Sequence, residues 1–411
     1  MEEDGSGLLI KIRIYQGSEY TYQDIQGLFE YSVPRKEGFP LSYEDYMKRA
    51  LELAETAMGH TSPNPMVGCV VVKDGRIVAE GCHERYGEFH AERNALTKCR
   101  EDVEGADLYV TLEPCCHQGK TPPCTDIIIE KKIGRVFVGA MDPNPKVAGN
   151  GVRLLREKGV QVETGILEKE CLELNEIFFY YIRTGMPFVA MKYAMTLDGK
   201  IAAYTGDSKW VTGEDARKHV HELRNKYSAI MAGVDTVLAD DPMLNCRIPG
   251  GTDPVRIICD THLRIPEESQ IVTSSKKIRT IVAYAGEGKE ERKEKLLSTG
   301  VELIKCGDGD QVDLELLFEK LGEMQIDSVL VEGGGTLHGS LLLTGLVNRV
   351  YAYVAPKLIG GKEARSPVEG AGFARMGEAE VLNEIEIIPF GEDICITGKM
   401  PEKEADTCLP E

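Results

Sequence analysis

Apolar positions along the chain switch between two periods, one helical and one strand-like, from residue 42 almost to the end. Met47, Ala50, Leu51, Ala54 and Met58 recur at helical spacing and predict a helix over 43–58, with Ser42 as N-cap and Asp45 at its third position. Met66–Lys73 and Arg76–Cys82 read as strands joined at Asp74-Gly75, a pair that favours a tight hairpin turn. Helices over His90–Lys98, Pro123–Lys131 and Val152–Lys158 then alternate with strands over Leu108–Leu112, Arg135–Ala140 and Val160–Thr164. Such alternation predicts an α/β sandwich.

A single helix over Glu168–Arg183 leads to Met186-Pro187, where a second domain is expected to begin. Its strands are Phe188–Ala194, Ala229–Ala232, Arg256–Asp260, Thr280–Ala283, Val301–Lys305, Ser328–Val331, Val350–Ala355 and the region Val381–Thr397. Its helices are Thr212–Asn225, Leu314–Met324 and Thr336–Leu343, while Gly286–Glu294 reads as a solvated charged segment. Leu8–Tyr15 alternates as a strand would, but the rest of the first 40 residues has no period and is expected to be disordered or packed on the surface. The chain thus divides into an extension at 1–40, domains at 41–186 and 187–400, and a charged tail at 401–411.

A length of 411 residues also calls for two domains, and 42% hydrophobic with 28% charged residues is the balance of a globular protein. No apolar run reaches a membrane-spanning length, and the acidic start Met1-Glu2-Glu3-Asp4 does not read as a secretory leader. A cytoplasmic location follows as the expectation. The 12 cysteines are then expected to be reduced, with Cys69, Cys259 and Cys395 acting as small buried apolar residues in strands. A net charge of −19 disfavours nucleic acid as a partner, because affinity for phosphate backbones comes largely from Lys and Arg.

One stretch changes the picture from fold to chemistry. His90-Ala91-Glu92 is followed by Glu113-Pro114-Cys115-Cys116-His117-Gln118-Gly119-Lys120-Thr121-Pro122-Pro123-Cys124. One imidazole and two thiolates (His90, Cys115, Cys124) can hold a zinc ion and leave a fourth position for water, whose pKa the metal lowers to near 7. Glu92 is placed to move that water's proton, so the pattern is that of the zinc deaminases, His-x-Glu…Pro-Cys-x-x-Cys. Here eight residues rather than two separate the thiolates. Cys116 and His117 compete with Cys115 for the metal, and Cys115 is preferred because it directly follows Glu113-Pro114.

In the second domain, Gly333-Gly334-Gly335-Thr336-Leu337-His338-Gly339 lies between a strand and a helix, where backbone N–H groups can meet a dinucleotide phosphate. His338 occupies the place of the last glycine of a dinucleotide fingerprint, so alone the turn is a weak signal. Lys192 interrupts an apolar strand, which is costly unless the charge is paired, and so suggests a functional group.

These residues resemble the bifunctional deaminase/reductase family of riboflavin biosynthesis. Pro114–Cys124, Ser62-Pro63-Asn64-Pro65-Met66-Val67-Gly68 and Asp142-Pro143-Asn144-Pro145 carry the likeness in the first domain; Lys192–Ala202 and Asp207–Thr212 carry it in the second. The resemblance runs from about residue 42 to 398 and leaves the first 40 residues out. It implies a cytidine-deaminase-like three-layer α/β domain followed by a dihydrofolate-reductase-like domain. It implies zinc and NADPH as cofactors. The reaction implied is loss of the 2-amino group of a 2,5-diamino-6-(5-phosphoribosylamino)pyrimidinone, then reduction of ribosyl to ribityl. On the same resemblance, Asn64, His83, His117, Lys120, Asp142 and Asn144 contact the first substrate, with His83 open to a purely structural reading. Ala194, Trp210, Thr236, Asp240, Thr261 and the run Gly334, Gly335, Thr336, Leu337, His338, Gly339 contact the nucleotide. Lys192, Ser208, Arg224, Leu244, Arg247 and Glu332 contact the second substrate, Arg224 and Arg247 through its phosphate. Trp210 as plain core and Asp198 as a turn residue stay open. The partners implied are a small phosphorylated pyrimidine and further copies of the chain, with no nucleic acid and no membrane.

Two rivals make different demands. A nucleic-acid base deaminase with an appended reductase-like domain calls for a short Pro-Cys-x-x-Cys and a basic groove. A binding protein that kept only the fold calls for loss of Glu92 or a ligand, and all of them are present.

Overall fold

The computed structural model of the chain describes residues 11–16, 19–24, 41–119, 121–144 and 147–401. The remainder of the expected N-terminal extension and the tail from 402 lie outside the described residues. Contacts divide the chain between Met186 and Pro187, with the extreme N-terminal strands grouped with the second unit. Strands β1 (Lys11–Gln16) and β2 (Glu19–Asp24) pair antiparallel, and β1 covers part of the alternating stretch.

In the first unit, α1 (Tyr43–Glu55) starts with the expected capping box: Asp45 N–H donates to Ser42 Oγ at 3.2 Å, and Ser42 N–H to the Asp45 carboxylate at 2.9 Å. Strands β3 (Gly68–Lys73) and β4 (Arg76–Cys82) turn at Asp74 and Gly75, both at positive φ as a primed hairpin turn requires. There follow α2 (Ala91–Lys98), β5 (Asp107–Leu112), α3 (Cys124–Glu130), β6 (Arg135–Ala140), α4 (Asn150–Glu157), β7 (Gln161–Thr164), α5 (Glu168–Leu174) and α6 (Glu176–Thr184). The sheet order is β4-β3-β5-β6-β7, antiparallel at β4, β3 and β5 and parallel beyond. Helices α1 and α2 approach β3 and β4 so closely that a Cβ on Gly68 would lie 1.8 Å from Ala50 O, and one on Gly81 2.5 Å from Ala95 N. Those glycines point to opposite faces, so helices cover both sides and the unit has three layers. Its core is aliphatic, with Tyr109 and Phe137 stacked at 4.6 Å.

The helix expected over Glu168–Arg183 is in fact two. Asn175 leaves helical geometry so that its side chain can accept from Met66 N–H and donate to Met66 C=O, both at 2.8 Å. A buried local clamp has overridden continuous helical spacing.

The second unit contains β8 (Phe188–Thr196), α7 (Glu214–Lys226), β9 (Ala229–Gly233), α8 (Val234–Asp240), β10 (Val255–Cys259), α9 (Gln270–Thr273), β11 (Thr280–Tyr284), α10 (Glu290–Thr299), β12 (Glu302–Lys305), α11 (Leu314–Glu323), β13 (Ser328–Val331), α12 (Gly335–Thr344), β14 (Arg349–Ala355), β15 (Asn383–Phe390) and β16 (Asp393–Lys399). The sheet runs β12-β11-β10-β9-β13-β8-β14-β16-β15-β1-β2. Pairing is parallel from β12 to β14, antiparallel through β16 to β15, and parallel again where β1 joins β15. The charged segment Gly286–Glu294 is exposed or half-buried, as expected, and runs into α10, which the fully buried Leu296 anchors. Among the described residues no helix is long and apolar enough to cross a membrane.

Arg256 on β10 is fully buried without a carboxylate partner. All its donors are used: Nε and Nη2 on Thr280 Oγ1, Nη1 on Met243 O and Ser274 Oγ, and Nη2 also on Ile271 O and Ile278 O, at 2.7–3.2 Å. Burial lowers its pKa to about 10, so the group stays charged at neutral pH and ties α9 to the sheet. Arg256→Met strands three carbonyls and is expected to lower the unit's stability by about 3 kcal/mol in urea unfolding. A loss within about 0.5 kcal/mol would show that Arg256 is dispensable.

Candidate active sites

The first site is assembled at two helix starts. His90 is the N-cap of α2, in extended geometry, and Cys124 is the first residue of α3. Cys115 sits in the loop after β5, where its C=O accepts from Cys124 N–H at 3.1 Å and Thr125 N–H at 3.2 Å. Cys115 Sγ lies 3.4 Å and Cys124 Sγ 3.5 Å from His90 Nδ1, and all three donor atoms fall within 4.8 Å of one another. The hydrogen bond from Cys124, and after it His90, brings the Cys115 thiol down to about 4. The same bond pushes the Cys124 thiol up. One imidazole nitrogen and two sulfurs, largely buried and converging, suit a zinc ion by donor chemistry and number.

The competitors do not converge. Cys116 is outside the donor group, with its thiol pushed up by burial, and His117 is exposed. Glu92 is buried next to the cluster, and burial pushes its carboxyl up.

His83 is buried, its Nδ1 3.1 Å from Phe89 O and its Nε2 3.2 Å from Asn64 Nδ2. Those partners call for a proton on Nδ1, so His83 accepts from Asn64 and orients it. Burial lowers the His83 pKa, in keeping with a neutral ring. Both ring nitrogens are thus committed within the chain, and Asn64 is the group that His83 presents. Asp142 and Asn144 share a loop in which Asp142 Oδ1 accepts from Asn144 N–H at 2.8 Å. Burial pushes the Asp142 carboxyl up to about 6. Lys120 lies outside the described residues.

The second site is a cavity of about 540 Å³ in the second unit. Of the residues expected to contact nucleotide or substrate, Lys192, Ala194, Ser208, Trp210, Arg224, Thr236, Asp240, Arg247, Glu332, Gly334, Gly335, Thr336, Leu337 and His338 line it. Leu244, Thr261 and Gly339 do not. Leu244 is packed into the apolar cluster with Ile230, Ile258 and Leu263. Gly339 is explained by packing, since a Cβ there would lie 1.6 Å from Glu369 O. His338 spans Pro367 O at 2.9 Å and Val331 O at 3.2 Å, so its polar atoms pin the 366–369 segment to β13. By contrast, Gly334 has only Thr236 Oγ1 near its would-be Cβ, at 3.6 Å, and it opens onto the cavity at the start of α12. Cavity size and a helix start of bare amides suit a dinucleotide.

Arg224 departs from the expectation of a phosphate fork. Its Nε lies 2.6 Å and its Nη2 2.9 Å from the two oxygens of Glu332, and Lys192 Nζ adds a third contact at 3.3 Å. Burial pushes the Glu332 carboxyl up, but the Arg224 and Lys192 charges outweigh it and hold the group well below the usual carboxylate range. Arg247, exposed at the same cavity, is left as the phosphate candidate. Trp210 is 62% exposed with the Arg217 guanidinium 4.6 Å from its ring centre, so it is cavity wall and not core. Asp198 accepts from Gly360 N–H at 2.7 Å and so ties its turn to the segment after β14. Arg217 and His221, on α7, line the cavity but were passed over, because neither belongs to a motif. Burial, then Arg224 and Arg247, lower His221 to about 4, which keeps it neutral.

Two family models match the chain: the cytidine and deoxycytidylate deaminase zinc-binding region over residues 41–140, and the RibD C-terminal domain over 187–396. The riboflavin biosynthesis protein RibD of Actinobacillus pleuropneumoniae is 54% identical over 353 residues, 86% of this chain and 94% of that one. This chain belongs to the RibD family of riboflavin biosynthesis. The Escherichia coli K12 member is 40% identical over 86% of this chain and 98% of its own. The crystal structure of a diaminohydroxyphosphoribosylaminopyrimidine deaminase/5-amino-6-(5-phosphoribosylamino)uracil reductase from Thermotoga maritima matches with a TM-score of 0.77 at 40% identity, covering 87% of this chain and 99% of that one. That of Acinetobacter baumannii RibD matches with a TM-score of 0.78 at 37% identity, covering 87% and 99%. The protein is a bifunctional deaminase and reductase, and relatives that span both units set aside the nucleic-acid reading.

Glu332→Gln leaves Lys192 and Arg224 buried beside a neutral group and is expected to lower stability by about 3 kcal/mol at pH 7. Because the folded-state pKa of Glu332 is depressed, its contribution is complete above the unfolded value of about 4.3 and declines as pH falls below it. Unfolding in urea should therefore show a gap between wild type and variant that narrows from pH 7 to pH 4 and below. A gap that widens on acidification would show that Glu332 is not held ionised.

Proposed function

We propose that the first unit hydrolyses the 2-amino group of 2,5-diamino-6-(5-phosphoribosylamino)pyrimidin-4-one, and that the second reduces the ribosyl group of the deaminated product to ribityl. The observation that carries the first half is the buried convergence of His90, Cys115 and Cys124 beside the Glu92 carboxyl. The three would hold zinc, which when bound supplies a Lewis acid that brings its water's pKa near neutrality.

Glu92 does the proton work. As water adds to the ring carbon that bears the amine, Glu92 accepts the proton released and delivers it to the departing nitrogen, which leaves as ammonia. A carboxyl raised by burial can hold a proton between those transfers, where an ordinary surface glutamate would shed it. Asn64, held by His83, faces the ring edge, and Asp142 and Asn144 hold base or sugar. His117 and Lys120, in the long insert between the thiolates, serve the phosphate end.

In the second unit NADPH, when bound, would supply a hydride for the sugar C1. The amides at the start of α12 would seat its phosphates, with Thr236 and Asp240 along the same wall. Arg247 binds the substrate phosphate. Glu332 stays ionised in its pairing with Arg224 and Lys192, and Lys192 lines the cavity.

Glu92→Gln should keep a full complement of zinc by metal analysis, lower ammonia release by at least about a thousandfold, and leave NADPH oxidation with the deaminated substrate unchanged. Deamination that survives in this variant would show that another group carries the proton.

A further inference from the structure

Glu113 lies two residues before Cys115 and is buried, and among the described residues its hydrogen bonds come from backbone amides. Its Oε1 accepts from Gly151 N–H at 2.9 Å and Val152 N–H at 3.1 Å. Its Oε2 accepts from Gly149 N–H at 2.9 Å and Asp142 N–H at 3.4 Å. The carboxylate thus spans the loop that carries Asp142 and Asn144, and holds both of its ends. Gly151 and Val152 lie in the first turn of α4, whose amides have no partner within the helix. A carboxylate from another segment meets them there.

The backbones also touch. A Cβ on Gly151 would lie 2.0 Å from Pro114 O, between Glu113 and Cys115. Cys115 itself has independent support: its C=O is held by the Cys124 and Thr125 amides at the start of α3. Loss of the Glu113 bonds therefore releases Asp142, Gly149, Gly151 and Val152 and spares the donor cluster.

We propose that Glu113 is a positioning residue of the deaminase, one that registers the Asp142–Asn144 substrate loop against the Cys115 segment through four backbone hydrogen bonds. This rests on the deaminase reading above. It assigns to the glutamate of Glu113-Pro114-Cys115 a role in substrate affinity, separate from metal retention.

The test compares wild type, Glu113→Gln and Gly151→Ala, all as full chains. Ammonia release by wild type is checked first; its absence would sink the deaminase reading and not the loop's anchoring. A Gln presents one acceptor oxygen and an NH₂ that faces two N–H donors, so one pair of bonds is lost. KM for the diaminopyrimidine should rise about tenfold or more with kcat within about threefold. Zinc content and NADPH oxidation should match wild type, and amides 149–152 should exchange hydrogen faster. Gly151→Ala pushes the same contact apart and should raise KM in the same direction. Should Glu113→Gln also lose its reductase rate, Glu113→Asp carries the comparison with the charge kept and the reach shortened. A KM equal to wild type overturns the proposal. So does a fall in kcat that follows zinc loss at unchanged KM, because it would make Glu113 a plain support of the fold.

Discussion

A metal-binding group of two thiols and an imidazole has to be brought together from segments far apart in sequence, against the mutual repulsion of ionised sulfur. The first unit does this with helix starts. His90 caps α2, Cys124 opens α3, and the α3 amides hold the backbone of Cys115, so the three donor atoms stand within 4.8 Å of one another. Sheet order, the close approach of α1 and α2 at Gly68 and Gly81, and the Asn175 clamp on Met66 all serve to hold those helix starts in place.

The second unit solves a different problem with similar means. Its cavity needs positive charge for phosphates but must not bury that charge unpaired. Glu332 takes up Arg224 and Lys192, while Arg247 and Arg217 remain at the exposed rim. Arg224 is thereby paired within the chain.

Much of this is legible in the sequence. Spacing and local rules located α1 with Ser42 as its N-cap and the β3–β4 hairpin. His90, Glu92, Cys115 and Cys124 were legible because their chemistry needs those residue types at those spacings. What stayed hidden depends on partners distant in sequence. The break at Asn175 needs Met66, and α10 needs the burial of Leu296. The commitment of Arg224 needs Glu332, 108 residues away. Glu113 had been noted only as the residue before Pro114, since nothing local shows that four amides of another loop converge on it. His338 and Gly339 resembled part of a phosphate-binding turn, but packing against the 366–369 segment accounts for both.

The central claim is that one chain houses two chemically separate sites, one built on a thiolate–imidazole centre and one on a nucleotide cavity. Zinc removal with a chelator, followed by assay of both half-reactions on the same preparation, tests it most directly. Ammonia release from the diaminopyrimidine should disappear and return on adding zinc, while NADPH oxidation with the deaminated substrate should continue throughout. Ammonia release that survives metal removal, or loss of both activities together in a chain that remains folded, would contradict it.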